Sequence, residues 1–279
     1  MAVRFSGADG VEIACDIAGR WSDPLVILLH GGGQTRFAWG ATMAALSESG
    51  FLALSLDLRG HGESDWSPDG QYGVDTYAAD LRRIVEQLGR PAAFVGASLG
   101  GLTSILAACV EPKAPCTALV MVDITPRMNQ GGADAIAAFM RSNPDGFASI
   151  EEAADAVAAY LPHRPRPRDT SGLRKNLRLS DNGRYYWHWD PRMMEANPRN
   201  SPDSFAPERF EQALLEVDLP MLLVRGMQSE IVGEDDAEAF RKLVPAAEYV
   251  DIPEAAHMVA GDKNDAFAEA VISFLERHH

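Results

Sequence analysis

A serine can attack a carbonyl only when a base removes its proton and a third group orients that base. One serine in this chain has the surroundings such chemistry needs. The pentapeptide Gly96-Ala97-Ser98-Leu99-Gly100 follows the apolar run Ala93-Phe94-Val95 and precedes small and apolar residues at helical spacing as far as Cys109. That order predicts a buried strand, a tight turn and a buried helix, with Ser98 raised at the strand's carboxyl end and glycines where a Cβ would collide. The hydroxyl would lie beside the first N–H groups of the helix, whose partial positive charge suits a developing anion.

Among the seven histidines, His257 is placed to serve as base, after the last strand (Glu248 to Ile252) and before the closing helix. Two carboxylates compete to orient it. Glu230 lies about a turn beyond the strand Met221 to Arg225, and Asp123 ends the strand Ala118 to Asp123. Chain order serine, acid, histidine favours Glu230, which leaves Asp123 to fix the start of the next segment through backbone N–H groups. Donors for an oxyanion are expected at Leu99, directly after the nucleophile, and at Gly32 in His30-Gly31-Gly32-Gly33, with Gly33 the second choice. His30 reads as a pin for that loop, and Asp57, Arg59 and His61 as braces between loops.

The elements that must position these groups alternate. Val3 to Ser6 and Val11 to Ile17 flank the Ala8-Asp9-Gly10 turn and predict an edge hairpin. Leu25 to Leu29 is continuously apolar, as in a strand buried on both faces. Leu52 to Asp57, the helix Val74 to Leu88 and Ala118 to Asp123 continue the βα rhythm, which stops at Ile124 and resumes with Met221 to Arg225. A break of this length predicts an insertion over the carboxyl edge of the sheet. The expected division is a core of 1–124 and 219–279 with a mostly helical cap of 125–218. Within the cap, Tyr185, Tyr186, Trp187 and Trp189 read as its small core with one or two rings reaching the pocket. Arg164, Arg166 and Arg168, interleaved with prolines, read as a solvated loop.

The chain has 279 residues, 46% hydrophobic and 23% charged, enough for one large globular domain with a substantial core. A formal charge of −15 argues against nucleic acid and anionic membrane surfaces as partners. The start MAVRFSGADG has no apolar signal core, so a soluble cytoplasmic protein is expected. Cys15, Cys109 and Cys116 are odd in number and lack metal-site spacing, so reduced thiols are expected, with no metal and no organic cofactor.

With the HGGG loop, the GASLG turn, a strand-end acid and a late histidine in this order, the chain resembles the α/β-hydrolase fold superfamily over its whole length. Leu56-Asp57-Leu58-Arg59-Gly60-His61-Gly62-Glu63-Ser64 is similar to the segment many members carry after their fourth strand. Val122-Asp123-Ile124-Thr125-Pro126 and Trp187-His188-Trp189-Asp190-Pro191-Arg192 resemble an esterase-like subgroup related to epoxide-hydrolase-like and cofactor-free peroxidase-like members. The resemblance implies an α/β fold with a mostly parallel eight-stranded sheet, helices on both faces and a helical cap. Epoxide hydrolases and haloalkane dehalogenases of this fold use an aspartate where Ser98 stands, which points here to acyl transfer instead. Glu230 stands where most members have aspartate. The expected activity is hydrolysis of small carboxylic esters through an acyl-serine, by Ser98, His257 and Glu230, with Gly33, Phe37, Trp39, Trp187 and Met227 at the substrate. A carbon–carbon bond hydrolase, a lactonase or a perhydrolase would use the same groups, and a non-catalytic receptor would bind without turnover. The oligomeric state is not fixed by the sequence.

Overall fold

The computed structural model describes residues 2–162, 164, 166, 168–195 and 205–278. Met1, His163, Pro165, Pro167 and His279, with residues 196–204, lie outside the described residues. Strands β1 (Val3–Ser6) and β2 (Glu12–Ala18) form the expected antiparallel hairpin. Strand β3 (Leu25–Leu29), helix α1 (Gly40–Glu48), strand β4 (Leu52–Leu56), helix α2 (Val74–Leu88), strand β5 (Ala92–Ala97), helix α3 (Leu99–Cys109) and strand β6 (Cys116–Val122) follow. The rhythm then breaks into helices α4 (Gln130–Arg141) and α5 (Ile150–Tyr160), strands β7 (Leu177–Leu179) and β8 (Tyr185–Trp187), and helix α6 (Pro207–Leu215). Strand β9 (Met221–Gly226), helix α7 (Glu234–Leu243), strand β10 (Glu248–Ile252) and helices α8 (Val259–Asp262) and α9 (Asn264–His278) complete the chain.

The eight-stranded sheet runs β1-β2-β4-β3-β5-β6-β9-β10, and β2 alone opposes the direction of the others. The apolar run of β3 is explained by its two covered faces. Leu25, Ile27 and Leu29 enter one core with residues of α2, α3 and α7, while Val26 and Leu28 enter a second core with residues of α1 and α9. Because β4 lies on one side of β3 and β5 on the other, the chain order reverses at β3. Loops leaving β3 and β5 therefore diverge around a crevice at the carboxyl edge, where open α/β sheets hold ligands.

The inserted segment differs from a purely helical cap. Leu177–Leu179 and Tyr185–Trp187 pair as a small antiparallel hairpin, with Leu177 opposite Trp187. Its signal was present in the sequence: Asp181-Asn182-Gly183 separates two short runs of β-forming residues, and Gly183 has φ +77°. Trp187 joins Met140, Phe147, Ala153 and Trp189 in a separate small core. Helix α6, by contrast, puts Phe210, Ala213 and Leu214 into the large core beside α3. Among the described residues no helix is long and apolar enough to cross a membrane.

Candidate active site

Ser98 occupies the turn between β5 and α3 with φ 48° and ψ −115°, a left-handed backbone that a residue with a side chain adopts only under constraint. The flanking glycines supply the room. A Cβ on Gly96 would lie 2.3 Å from the Gly100 carbonyl oxygen, and one on Gly100 would lie 2.3 Å from the Leu29 carbonyl oxygen. The Ser98 N–H donates to the Val122 carbonyl at 3.2 Å, and the Ser98 carbonyl accepts from Gly101 and Leu102, starting α3.

His257 leaves the loop after β10, and its Nδ1 lies 2.6 Å from Asp123 Oδ2. The Asp123 carboxylate is fully buried at the end of β6. Its Oδ1 accepts the Gly226 N–H at 3.0 Å, and its Oδ2 also accepts the Ser229 hydroxyl at 2.5 Å. Ser229 Oγ in turn accepts the N–H groups of Ile231 and Val232 at 3.0 and 3.2 Å, which fixes the direction of its proton toward Asp123. A carboxylate at Nδ1 holds the proton on that nitrogen and leaves Nε2 as the basic atom.

The acid expected at Glu230 is thus corrected to Asp123. The turn after β9 presents Ser229 to the buried carboxylate and leaves Glu230 exposed, with no bond to His257 among the described residues. Ala97 and Val122 are paired across β5 and β6, so Ser98 and Asp123 each follow one end of adjacent strands. Met227 is also corrected. Its N–H continues the β9–β10 ladder to the Ile252 carbonyl at 3.1 Å, the residue is 56% exposed, and it does not line the cavity.

The glycine loop after β3 is held by imidazoles. Leu58 N–H donates to His30 Nε2 at 3.0 Å, Gly33 N–H to His61 Nε2 at 3.1 Å, and Gly62 N–H to His188 Nδ1 at 2.7 Å. A backbone N–H can only donate, so each ring is neutral and protonated on its other nitrogen, which faces the carbonyl of Gly31, Arg59 or Gly33 respectively. Burial pushes His30 down to about 4; burial and the neighbouring His30 push His61 down to about 3; burial and the other two imidazoles hold His188 well below the usual range. His188 comes from the insertion, so the inserted segment itself grips Gly33. Asp190 adds to that grip by accepting the Tyr72 hydroxyl at 2.5 Å and donating its N–H to the Gly60 carbonyl at 2.9 Å.

Gly31 N–H is taken by the Gln34 side chain at 3.1 Å and Gly33 N–H by His61. The N–H groups of Gly32 and Leu99 take no acceptor among the described residues, and both residues line the cavity with Ser98 and His257. Asp57 and Arg59 brace loops: Asp57 pairs with Arg36 and accepts the Glu63 N–H at 2.9 Å, while Arg59 forks onto Asp80 at 2.6 and 2.7 Å.

The cavity measures about 520 Å³. Ser98, His257, Gly31 to Gly33 and Leu99 form its floor at the carboxyl edge of the sheet, and Phe37, Trp39, Met140, Trp187 and Trp189 contribute to its walls. Trp187 and Trp189 stack with centroids 5.0 Å apart, so these two rings serve as core of the insertion and pocket wall together. Tyr185 and Tyr186 do not line it. Among the described residues no group of three or more His, Cys, Asp or Glu side chains is arranged to hold a metal ion.

A doubly covered, mostly parallel sheet with a strained serine after β5 and a buried aspartate–histidine pair at the same edge defines the class: the chain belongs to the α/β-hydrolase family, whose model matches residues 24–263, and it is a hydrolase. Particular relatives sharpen this. The chain is 34% identical over 270 residues to the esterase Rv0045c of Mycobacterium tuberculosis, covering 92% of this chain and 85% of that one. It is 28% identical over 269 residues to a 2-(acetamidomethylene)succinate hydrolase of Mesorhizobium japonicum, covering 95% and 92%. The crystal structure of an E-2-(acetamidomethylene)succinate hydrolase superposes with a TM-score of 0.85 at 24% identity, covering 99% of each chain, a likeness of fold.

Proposed function

We propose that this hydrolase cleaves small carboxylic esters through an acyl-serine. The observation that carries the reading is the buried Asp123–His257 pair in the same cavity as the strained Ser98. His257 Nε2 takes the Ser98 proton as Oγ attacks the ester carbonyl. Asp123 holds the imidazole in its Nδ1–H form and stabilises the imidazolium. The Gly32 and Leu99 N–H groups receive the tetrahedral oxyanion, and Gly32 is kept in place because its neighbour Gly33 is tied to His61 and His188. The imidazolium protonates the leaving alkoxide. Water, deprotonated by the same nitrogen, then releases the acid and restores Ser98. The segment between β6 and β9 acts as the cap that shapes the acyl and alcohol pockets, and similarity to an esterase of Mycobacterium tuberculosis supports the reaction class. Purified protein is expected to hydrolyse p-nitrophenyl acetate and to be labelled by a fluorophosphonate at Ser98. Ser98→Ala should lower kcat at least about 1000-fold; retention of turnover by this variant would falsify the acyl-serine route.

A further inference from the structure

The charge lining the cavity has the opposite sign to the charge of the chain. The sequence holds 40 acidic residues against 25 basic ones. Yet among the described residues no aspartate or glutamate lines the cavity, whereas Arg164 and Lys175 do. The carboxylates nearest that wall, Asp262 against Arg164 and Asp123 against His257, lie outside the lining and are each paired with a lining side chain.

The two cations differ in availability. Arg164 is engaged, with Nε and Nη2 on Asp262 Oδ1 at 2.6 and 2.5 Å and Nη2 facing the Met258 carbonyl at 3.4 Å. Lys175 has no carboxylate within ion-pair distance among the described residues. Its ammonium stands 4.9 Å from the centroid of Phe37, another lining residue, and it is exposed, so it marks the open side of the cavity. Beside it, Asn176 meets the Thr35 hydroxyl at 3.1 Å, and both line the same wall. An apolar space with Ser98 at one place and a lone ammonium at its opening matches a ligand that has an acyl ester at one end and an anion at the other. The Arg164, Arg166 and Arg168 run does not supply that charge, since Arg164 is paired with Asp262, Arg166 is paired with Asp155, and neither Arg166 nor Arg168 lines the cavity.

We propose that the preferred substrate is a monoester of a dicarboxylic acid, its free carboxylate paired with Lys175 while the ester carbonyl lies at Ser98. The proposal rests on the ester-hydrolase reading, and its test separates the two. Initial rates are measured by NMR for the monoethyl esters of glutaric, adipic and suberic acids against neutral ethyl hexanoate. At least one monoester should exceed ethyl hexanoate about tenfold in kcat/KM. Lys175→Met, which keeps the apolar stem, should remove most of that preference through KM, while Lys175→Arg keeps it and 0.5 M salt weakens it. A preference for ethyl hexanoate over all three monoesters, or a ratio unmoved by Lys175→Met, overturns the anion site and leaves the esterase reading standing. Calorimetry supplies a readout free of turnover: Ser98→Ala should bind monoethyl adipate more tightly than ethyl hexanoate, and adding Lys175→Met should cancel the difference. Should neither ester be hydrolysed while that binding difference persists, the anion site stands and the esterase reading fails; absence of both overturns both.

Discussion

Asp123 is the second residue of the site with a left-handed backbone, at φ 49° beside the 48° of Ser98. Each such residue costs on the order of 1–3 kcal/mol, and the network around the carboxylate offsets that cost. Gly226, Ser229 and His257 converge on it, and all three donate. Asp123→Asn is therefore expected to lower kcat by about 10⁴, since an amide favours the wrong imidazole tautomer. Steady-state kinetics of the three variants should place Ser229→Ala near a tenfold loss and Glu230→Gln within about twofold of the parent; a larger loss in Glu230→Gln than in Asp123→Asn would return the acid to the loop after β9. Ser98 and His257 were legible because each is bracketed by a strand and a helix whose patterns are strong. The acid was not. Ser229 and Glu230 are neighbours, and only the turn of the backbone after β9 decides which of the two faces inward.

At the scale of elements, the glycine loop after β3 is shaped by contacts from outside itself. His61 takes its Gly33 N–H and His188 its Gly33 carbonyl, and the second of these arrives from the hairpin of the cap. Replacing His188 by alanine leaves the half-buried Gly62 N–H and Gly33 carbonyl without their imidazole partner, at about 1–3 kcal/mol for the two together. We expect His188→Ala to lower the melting temperature and to reduce kcat about tenfold with a smaller change in KM, while His188→Asn, which retains a donor and an acceptor, recovers part of both. The pinning role of His30 could be read from its place before three glycines. That of His188 could not, because its partners lie 126 and 155 residues away in the chain. The hairpin carrying it has a local signal in Asn182-Gly183, but short strands beside Ala-rich helices are easily absorbed into a helical reading.

For the molecule as a whole, sheet order and layers follow from the apolar runs: β3 and β10 begin and end where the pattern does, and the alternation of β3 between two cores shows why the run is continuous. The same burial makes the fold sensitive to acid. His30, His61 and His188 stay neutral in the folded chain, with His30 and His61 lowered to about 4 and 3, whereas the unfolded chain binds these protons near pH 6.5. Their contribution is complete above about pH 6.5 and declines as pH falls toward 4, each imidazole adding about 1.4 kcal/mol per pH unit to the slope. Urea titrations between pH 7 and 4.5 should show that loss, and it should be shallower in His188→Asn; a stability independent of pH over this range would contradict the neutral assignment.

Asp123 is also the last residue before the chain leaves the sheet for the insertion, whereas the loop after β9 carries no reacting group. Recombination between relatives therefore has an unequal pair of boundaries. A chimera joined after Ile124 keeps the parental acid with its Gly226 and Ser229 donors, while one joined only a few residues earlier imports a foreign acid, or none, along with the foreign cap. On the far side the junction is more permissive up to α6, whose Phe210 and Leu214 belong to the recipient's core and have to stay with it.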